Sequence, residues 1–271
     1  MKPIKVLYHG IFVSILLTLA FIERSEGVPR YKEETVIYKF DGVELKGFVV
    51  YDENAKGKRP AVLIVPEWWG LNNYIKSRAR QVAALGYIAM AVDIFGNGKT
   101  ASNPKDAQAL TEPFYQHPEM GMKRLEAAIK RVKEFKQTDD NNVAAIGYCF
   151  GGSIVLNSAK LGAPLKGVVS FHGTLAGVPP QKELLKAKIL VCHGADDQFT
   201  TPQEVRKFRH QLDSVGADYV FKTYPNATHA FTNPNATKLG KQFNMPIAYN
   251  LEADKNSWND MKQFFIRLFK R

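Results

Sequence analysis

Apolar residues recur along this chain in two periods. Short runs rich in β-branched and aromatic side chains read as strands: Thr35 to Phe40, Val43 to Tyr51, Ala61 to Val65, Tyr87 to Val92, Val143 to Ile146, Gly167 to Phe171, Lys188 to His193 and Tyr219 to Tyr224. Between them, apolar positions fall three or four residues apart, the spacing of one buried helix face. Such stripes are Leu71, Ile75, Ala79, Val82; Leu125, Ala128, Ile129, Val132; Val205, Phe208, Leu212, Val215; and Trp258, Met261, Phe265, Leu268. The first two strands flank Asp41-Gly42, a dipeptide suited to a two-residue turn, which predicts an antiparallel hairpin. The later runs are continuously apolar, as strands covered on both faces must be. Alternation of strand and helix predicts an α/β fold: a mostly parallel, doubly wound sheet with an N-terminal antiparallel hairpin.

Ahead of this pattern, Met1 to Gly27 opens with Lys2 and Lys5, continues with the apolar run Ile11 to Ile22 and turns polar at Glu23-Arg24-Ser25-Glu26-Gly27. That is the charged and apolar arrangement of a secretory signal peptide, and the run is short of the roughly 20 apolar residues of a membrane span. The expectation is a leader over 1–27 and one domain over 28–271, periplasmic or secreted, with an uncleaved N-terminal membrane anchor as the alternative. No internal repeat, low-complexity tract or interdomain linker interrupts the remainder, which is long enough to bury one large core.

Composition excludes more than it identifies. Lys plus Arg number 37 against 26 Asp plus Glu, a net charge of +11. The excess is dispersed, as at Lys182, Lys186, Lys188 and Lys262, with no basic block interleaved with aromatics. Solvated surface is expected, with no nucleic-acid partner. Histidines 9, 117 and 210 stand at no metal-ligand spacing, and neither a Walker sequence nor a dinucleotide fingerprint occurs. No metal, no cofactor and no stable membrane insertion after leader removal are expected of a monomer acting on a small molecule.

Chemistry concentrates at Gly147-Tyr148-Cys149-Phe150-Gly151, directly after the apolar run Val143 to Ile146. A small-x-nucleophile-x-small pentapeptide between strand and helix is a nucleophile elbow, here with cysteine at its centre. The tight turn demands small residues at both flanks, which glycines 147 and 151 supply, and the following helix aims its positive end at the sulfur, favouring thiolate. A buried structural cysteine in a glycine-rich turn would look similar. Chain order separates the readings. Asp197 follows the strand Lys188 to His193, with Asp196 as its rival for the acid position, and His229 follows the strand Tyr219 to Tyr224. Nucleophile, acid and histidine in that order, each past a strand, is the α/β-hydrolase arrangement. Cys192, within a strand, reads as an inert core thiol, and His172 and His193 read as structural histidines.

These residues resemble the dienelactone hydrolase family, and the likeness extends to Val65-Pro66-Glu67-Trp68-Trp69-Gly70, Val92-Asp93-Ile94-Phe95-Gly96, Ile146 to Gly152, His193 to Asp197, and His229-Ala230-Phe231-Thr232-Asn233-Pro234. It runs from about Tyr31 to the C-terminus. The resemblance implies a lactone or carboxylic ester hydrolase in which a Cys149–His229–Asp197 triad works through a thioester, with Glu67 paired to the resting cysteine. Backbone N–H groups of Phe150 and Trp68 would be the oxyanion donors, and Trp69 would line the pocket. Family members that open dienelactones hold the substrate carboxylate with two arginines. The matching positions here are Asn97 and Asn233, whose neutral amides cannot form that charge-assisted clamp. A redox-reactive thiol protein and a noncatalytic ligand-binding protein on the same fold are the competing readings.

Overall fold

The structure, a computed structural model, describes residues 28–270; the expected leader over 1–27 lies outside the described residues. All eight expected strands form and join one sheet in the order β1-β2-β4-β3-β5-β6-β7-β8. They are β1 (Tyr31–Phe40), β2 (Val43–Asp52), β3 (Arg59–Val65), β4 (Ile88–Ala91), β5 (Thr138–Tyr148), β6 (Gly167–Phe171), β7 (Lys188–Gly194) and β8 (Tyr219–Tyr224). β1 and β2 pair antiparallel with Phe40 opposite Val43, so the hairpin turns on Asp41 and Gly42, both at positive φ as a type I′ turn requires. β2 meets β4 antiparallel, and every pairing from β4 across to β8 is parallel.

Burial follows the hydrophobic pattern. In β1, Val36 and Tyr38 are buried while their neighbours are not, the alternation of a one-faced edge strand; β3 and β4 are buried throughout. Helices α1 (Asn73–Ala84) and α7 (Leu251–Phe269) cover one face, packing Ile75, Val82, Met261 and Phe265 against Val62, Ile64 and Ile146. On the other face, α3 (Pro118–Lys133), α4 (Phe150–Lys160) and α5 (Pro202–Ser214) bring Leu125, Ile129, Val155, Phe208 and Leu212 against Leu63, Ala145 and Val191. The helix stripes therefore serve as core, as two-sided coverage of a parallel sheet demands.

β5 begins five residues before the apolar run that marks it, because the polar stretch from Thr138 continues the pairing toward Arg59 through a register shift. α4 is the helix the nucleophile elbow predicts, and two further helices have no counterpart in the apolar stripes. α2 (Pro104–Gln116) starts at an Asn103 cap with Pro104 at its first position, and α6 (Ala236–Phe243) ends at Asn244 in the left-handed region. Both stand at the carboxyl ends of the parallel strands, where ligands bind in open α/β sheets.

Candidate active site

Cys149 is the single residue between β5 and α4, and it sits at φ 53°, ψ −116°. A non-glycine residue there is strained, and only surrounding packing can hold it. The two glycines explain why the chain can turn so sharply. A Cβ on Gly147 would lie 2.0 Å from the Gly151 carbonyl oxygen, and one on Gly151 would lie 2.3 Å from that of Val65. Neither position tolerates a side chain. The second approach sets the first turn of α4, which Phe150 opens next to Cys149, close against the end of β3, and Trp68, in the turn after β3, lines the same cavity as Cys149. N–H groups of a helix's first turn have no partner within the helix and are free for an anion.

The loops after β7 and β8 supply the acid and the base. Asp197 N–H donates to the Gly194 carbonyl, folding the loop so that the carboxylate points back over the sheet end. Its Oδ1 accepts from Phe199 N–H at 2.9 Å, and its Oδ2 lies 2.9 Å from His229 Nδ1. His229 Nε2 lies 3.0 Å from Cys149 Sγ. The three residues thus form a continuous line from a buried carboxylate to a partly exposed sulfur. Burial opposes the imidazolium, but the neighbouring Cys149 thiolate and the hydrogen bonds to Asp197 and Cys149 outweigh it and raise His229 to about 10. The arrangement puts a sulfur nucleophile and an imidazole that can carry its proton in direct contact. Asp196 does not join; its N–H donates to the Ala227 carbonyl and its side chain is exposed.

Glu67 follows β3 at Pro66 and is only 2% exposed. Burial pushes its carboxyl up to about 7; the Asn233 amide, His229 and Arg78 moderate the rise. The Asn233 bond is direct, Nδ2 donating to Glu67 Oε2 at 2.7 Å. Both residues line a cavity of about 250 Å³ that opens on Cys149 and His229, just under the roughly 300–1,000 Å³ usual for small-molecule sites. Trp68 and Trp69, with ring centroids 4.9 Å apart, form one wall. Tyr115 of α2, Leu239 of α6 and Phe199, whose ring lies 4.9 Å from that of His229, contribute others. Of the residues expected from sequence, Phe150 keeps its ring in the core against Phe95 and Phe114, next in the chain to Cys149, and Asn97 is not brought here. It sits exposed at φ 55° in the loop after β4, its N–H donating to the Glu44 carbonyl, outside the cavity lining.

His172 has a larger part than a structural histidine needs. Directly past β6, it accepts from the Cys149 N–H at Nδ1 (3.1 Å), a bond that N–H shares with the Phe171 carbonyl (3.0 Å). Burial, with the charges of His229 and Arg78 adding to it, holds His172 far below the usual histidine range, so it is neutral. With Nδ1 accepting, its proton is on Nε2, which lies 2.7 Å from Thr232 Oγ1 and donates to it. Thr232 Oγ1 in turn meets the Tyr74 hydroxyl at 2.7 Å, and the Arg78 guanidinium donates to the Thr232 carbonyl and to Asp254, each at 2.6 Å. The His172 ring also packs edge-on to His229, centroids 5.3 Å apart. A buried polar chain therefore ties α1 and α7 to the strained cysteine and braces the ring beside it. The one trace of this in sequence is that His172, like Cys149, directly follows an apolar strand.

Among the described residues no cluster of His, Cys, Asp or Glu could hold a metal ion, and no helix is long and apolar enough to cross a membrane.

The dienelactone hydrolase family model matches residues 45–269. Over 205 residues the chain is 29% identical to a protein of Aquifex aeolicus named "Putative carboxymethylenebutenolidase", covering 74% of this chain and 87% of that one. It is 27% identical over 223 residues to "Protein usf" of Aquifex pyrophilus, covering 80% and 95%. Among solved structures, a dienelactone hydrolase-like promiscuous phosphotriesterase from metagenomic libraries superposes with a TM-score of 0.82 at 31% identity, over 88% of this chain and 98% of that one.

Proposed function

The chain belongs to the dienelactone hydrolase family and is a hydrolase of lactones or carboxylic esters, and from that premise we propose that Cys149 is its nucleophile, His229 its acid–base and Asp197 the residue that orients the histidine. The observation that carries this reading is the unbroken line from Asp197 Oδ2 to His229 Nδ1 at 2.9 Å and from His229 Nε2 to Cys149 Sγ at 3.0 Å.

In the proposed reaction the Cys149 thiolate attacks the carbonyl carbon, and the negative charge gathers on the carbonyl oxygen beside the N–H groups of Phe150 and Trp68. Collapse breaks the bond to the alkoxide, which takes the proton from His229 Nε2 and leaves a thioester on Cys149. Neutral His229 then removes a proton from water, the hydroxide adds to the thioester, and the thiolate departs to re-form the starting pair. Asp197 keeps the Nδ1 proton in place throughout, so Nε2 always faces the reacting atoms. Glu67, buried against Asn233, belongs to the wall of this pocket, where its carboxyl can exchange a proton near neutral pH.

Hydrolysis of a short-chain 4-nitrophenyl ester by the wild type, Cys149→Ala and His229→Ala tests the assignment. Loss of turnover by more than about 1,000-fold in both variants is expected, the scale of deleting a nucleophile or its base. Turnover retained in Cys149→Ala overturns it. The expected leader over residues 1–27 enters this reading as a proposal too: it would export the hydrolase, and N-terminal sequencing of the mature protein from its host tests it.

A further inference from the structure

We propose that this site, on the nucleophile reading above, takes uncharged esters or lactones with an apolar body and turns away substrates carrying a carboxylate, with Glu112 and Asn233 setting that preference. Among the described residues no lysine or arginine lines the cavity. Its ionisable groups are the Cys149–His229 pair, the Tyr115 phenol and two carboxyl groups, Glu67 on the floor and Glu112 at the α2 rim.

A substrate carboxylate entering here would give up water without meeting a lysine or arginine, and that is expensive unless a charge-assisted partner replaces it. Gln108, Thr111, Thr174 and Tyr115 offer only neutral donors from the lining, and the stronger candidates are committed. His229 is held between Asp197 Oδ2 at 2.9 Å and Cys149 Sγ at 3.0 Å and belongs to the reacting atoms. Asn233 donates to Glu67 at 2.7 Å and accepts from the Asn235 N–H at 2.9 Å, so its amide is engaged at both ends. The Arg78 guanidinium is spent on Asp254 and the Thr232 carbonyl, both at 2.6 Å, and is not part of the lining. Glu112 is exposed, and the Gln116 amide that donates to it at 2.9 Å does not cancel its charge. Like charge at the mouth and no lysine or arginine within disfavour an anion twice over. The chain's net +11 acts in the opposite direction at long range, but solution salt screens it beyond about 8 Å. Apart from the neutral polar Gln108, Thr111 and Thr174, the rest of the wall is aromatic or aliphatic, which suits a small apolar or planar group.

The matched pair methyl 4-acetoxybenzoate and 4-acetoxybenzoate tests this, since the para carboxylate cannot reach its own ester. The full chain should hydrolyse the neutral ester with kcat/KM at least about tenfold higher, the scale of one like-charge clash. Glu112→Gln should narrow the ratio several-fold by raising the anionic rate selectively, and Asn233→Arg should narrow it further. Equal or faster turnover of the carboxylate by the wild type, or a ratio unmoved by both substitutions, overturns the preference. If Cys149→Ala still turns either ester over, the nucleophile reading falls instead. Binding of methyl 4-hydroxybenzoate and of 4-hydroxybenzoate to Cys149→Ala, followed by calorimetry, decides the preference without any turnover: tighter binding of the neutral compound supports it, and tighter or equal binding of the anion refutes it.

Discussion

Replacing Glu67 by Gln should make the protein more stable and less active, and the gain in stability should depend on pH in a defined direction. Glu67 is 2% exposed, and burial lifts its carboxyl from the ordinary 4.5 to about 7. The native state therefore holds this proton more tightly than the unfolded chain does. Below pH 4.5 both states carry it, and the group costs nothing extra. As pH rises toward 7 the unfolded chain releases its proton while the native state keeps it, so stability falls, and above 7 the loss levels off. At ~1.36 kcal/mol per pH unit, the interval from 4.5 to about 7 amounts to about 3 kcal/mol. Gln has the same shape, cannot ionise and retains an oxygen to accept from Asn233 Nδ2. Urea unfolding of wild type and Glu67→Gln across pH 4 to 8.5 should show curves that nearly meet at the acid end and diverge to about 3 kcal/mol in favour of the variant above pH 7.5. Ester turnover should fall in the same variant, since a carboxyl that can exchange a proton near neutral pH in the cavity of Cys149 and His229 is replaced by an amide that cannot. Parallel stability curves, or a gap that closes with rising pH, would refute the argument.

The two thiols should respond differently to alkylation. Cys192 is fully buried and its thiol is pushed up to about 12, so iodoacetamide at pH 7.5 should label Cys149 alone in the native protein and both cysteines after unfolding, as peptide mapping would show. Gly151→Ala would drive a Cβ to 2.3 Å from the Val65 carbonyl oxygen; shifting the elbow by even about 1 Å should cost at least 100-fold in kcat, read in the ester assay alongside a circular dichroism check of folding. Asp254→Ala leaves the buried Arg78 guanidinium without its carboxylate, and thermal or urea unfolding should show a loss of about 3–5 kcal/mol.

The sheet was legible because its strands are continuous apolar runs that no other element explains, and because Asp41-Gly42 fixes a hairpin on local grounds. The elements that roof the cavity were not. α2 buries Ala107, Thr111 and Phe114, so a polar side chain breaks its stripe and Pro113 lies inside it, while α6 spans eight residues and buries only Ala236 and Gly240. Elements that wall a site carry weak core signals because part of their inner face meets a ligand rather than the core. Cys149, Asp197, His229 and Glu67 could be found since each lies just past a strand of a parallel sheet, where the chain must turn and the side chains converge. Asn97 satisfies the same sequence rule yet stays outside, because its loop is held to β2 by the Glu44 carbonyl. The place of His172 depends on contacts from α1, β5 and the Phe231–Thr232 loop, and no local pattern encodes those.

The central claim is that acyl transfer passes through the Cys149 sulfur. Acid-quenching the wild type during turnover of a 4-nitrophenyl ester, with His229→Ala and Cys149→Ala in parallel, and mapping the peptides by mass spectrometry, tests it most directly. One acyl group is expected on the peptide containing Cys149, removable by hydroxylamine as a thioester is, with neither adduct nor turnover in Cys149→Ala. Turnover in Cys149→Ala, or an acyl group carried on any other residue during turnover, would contradict it.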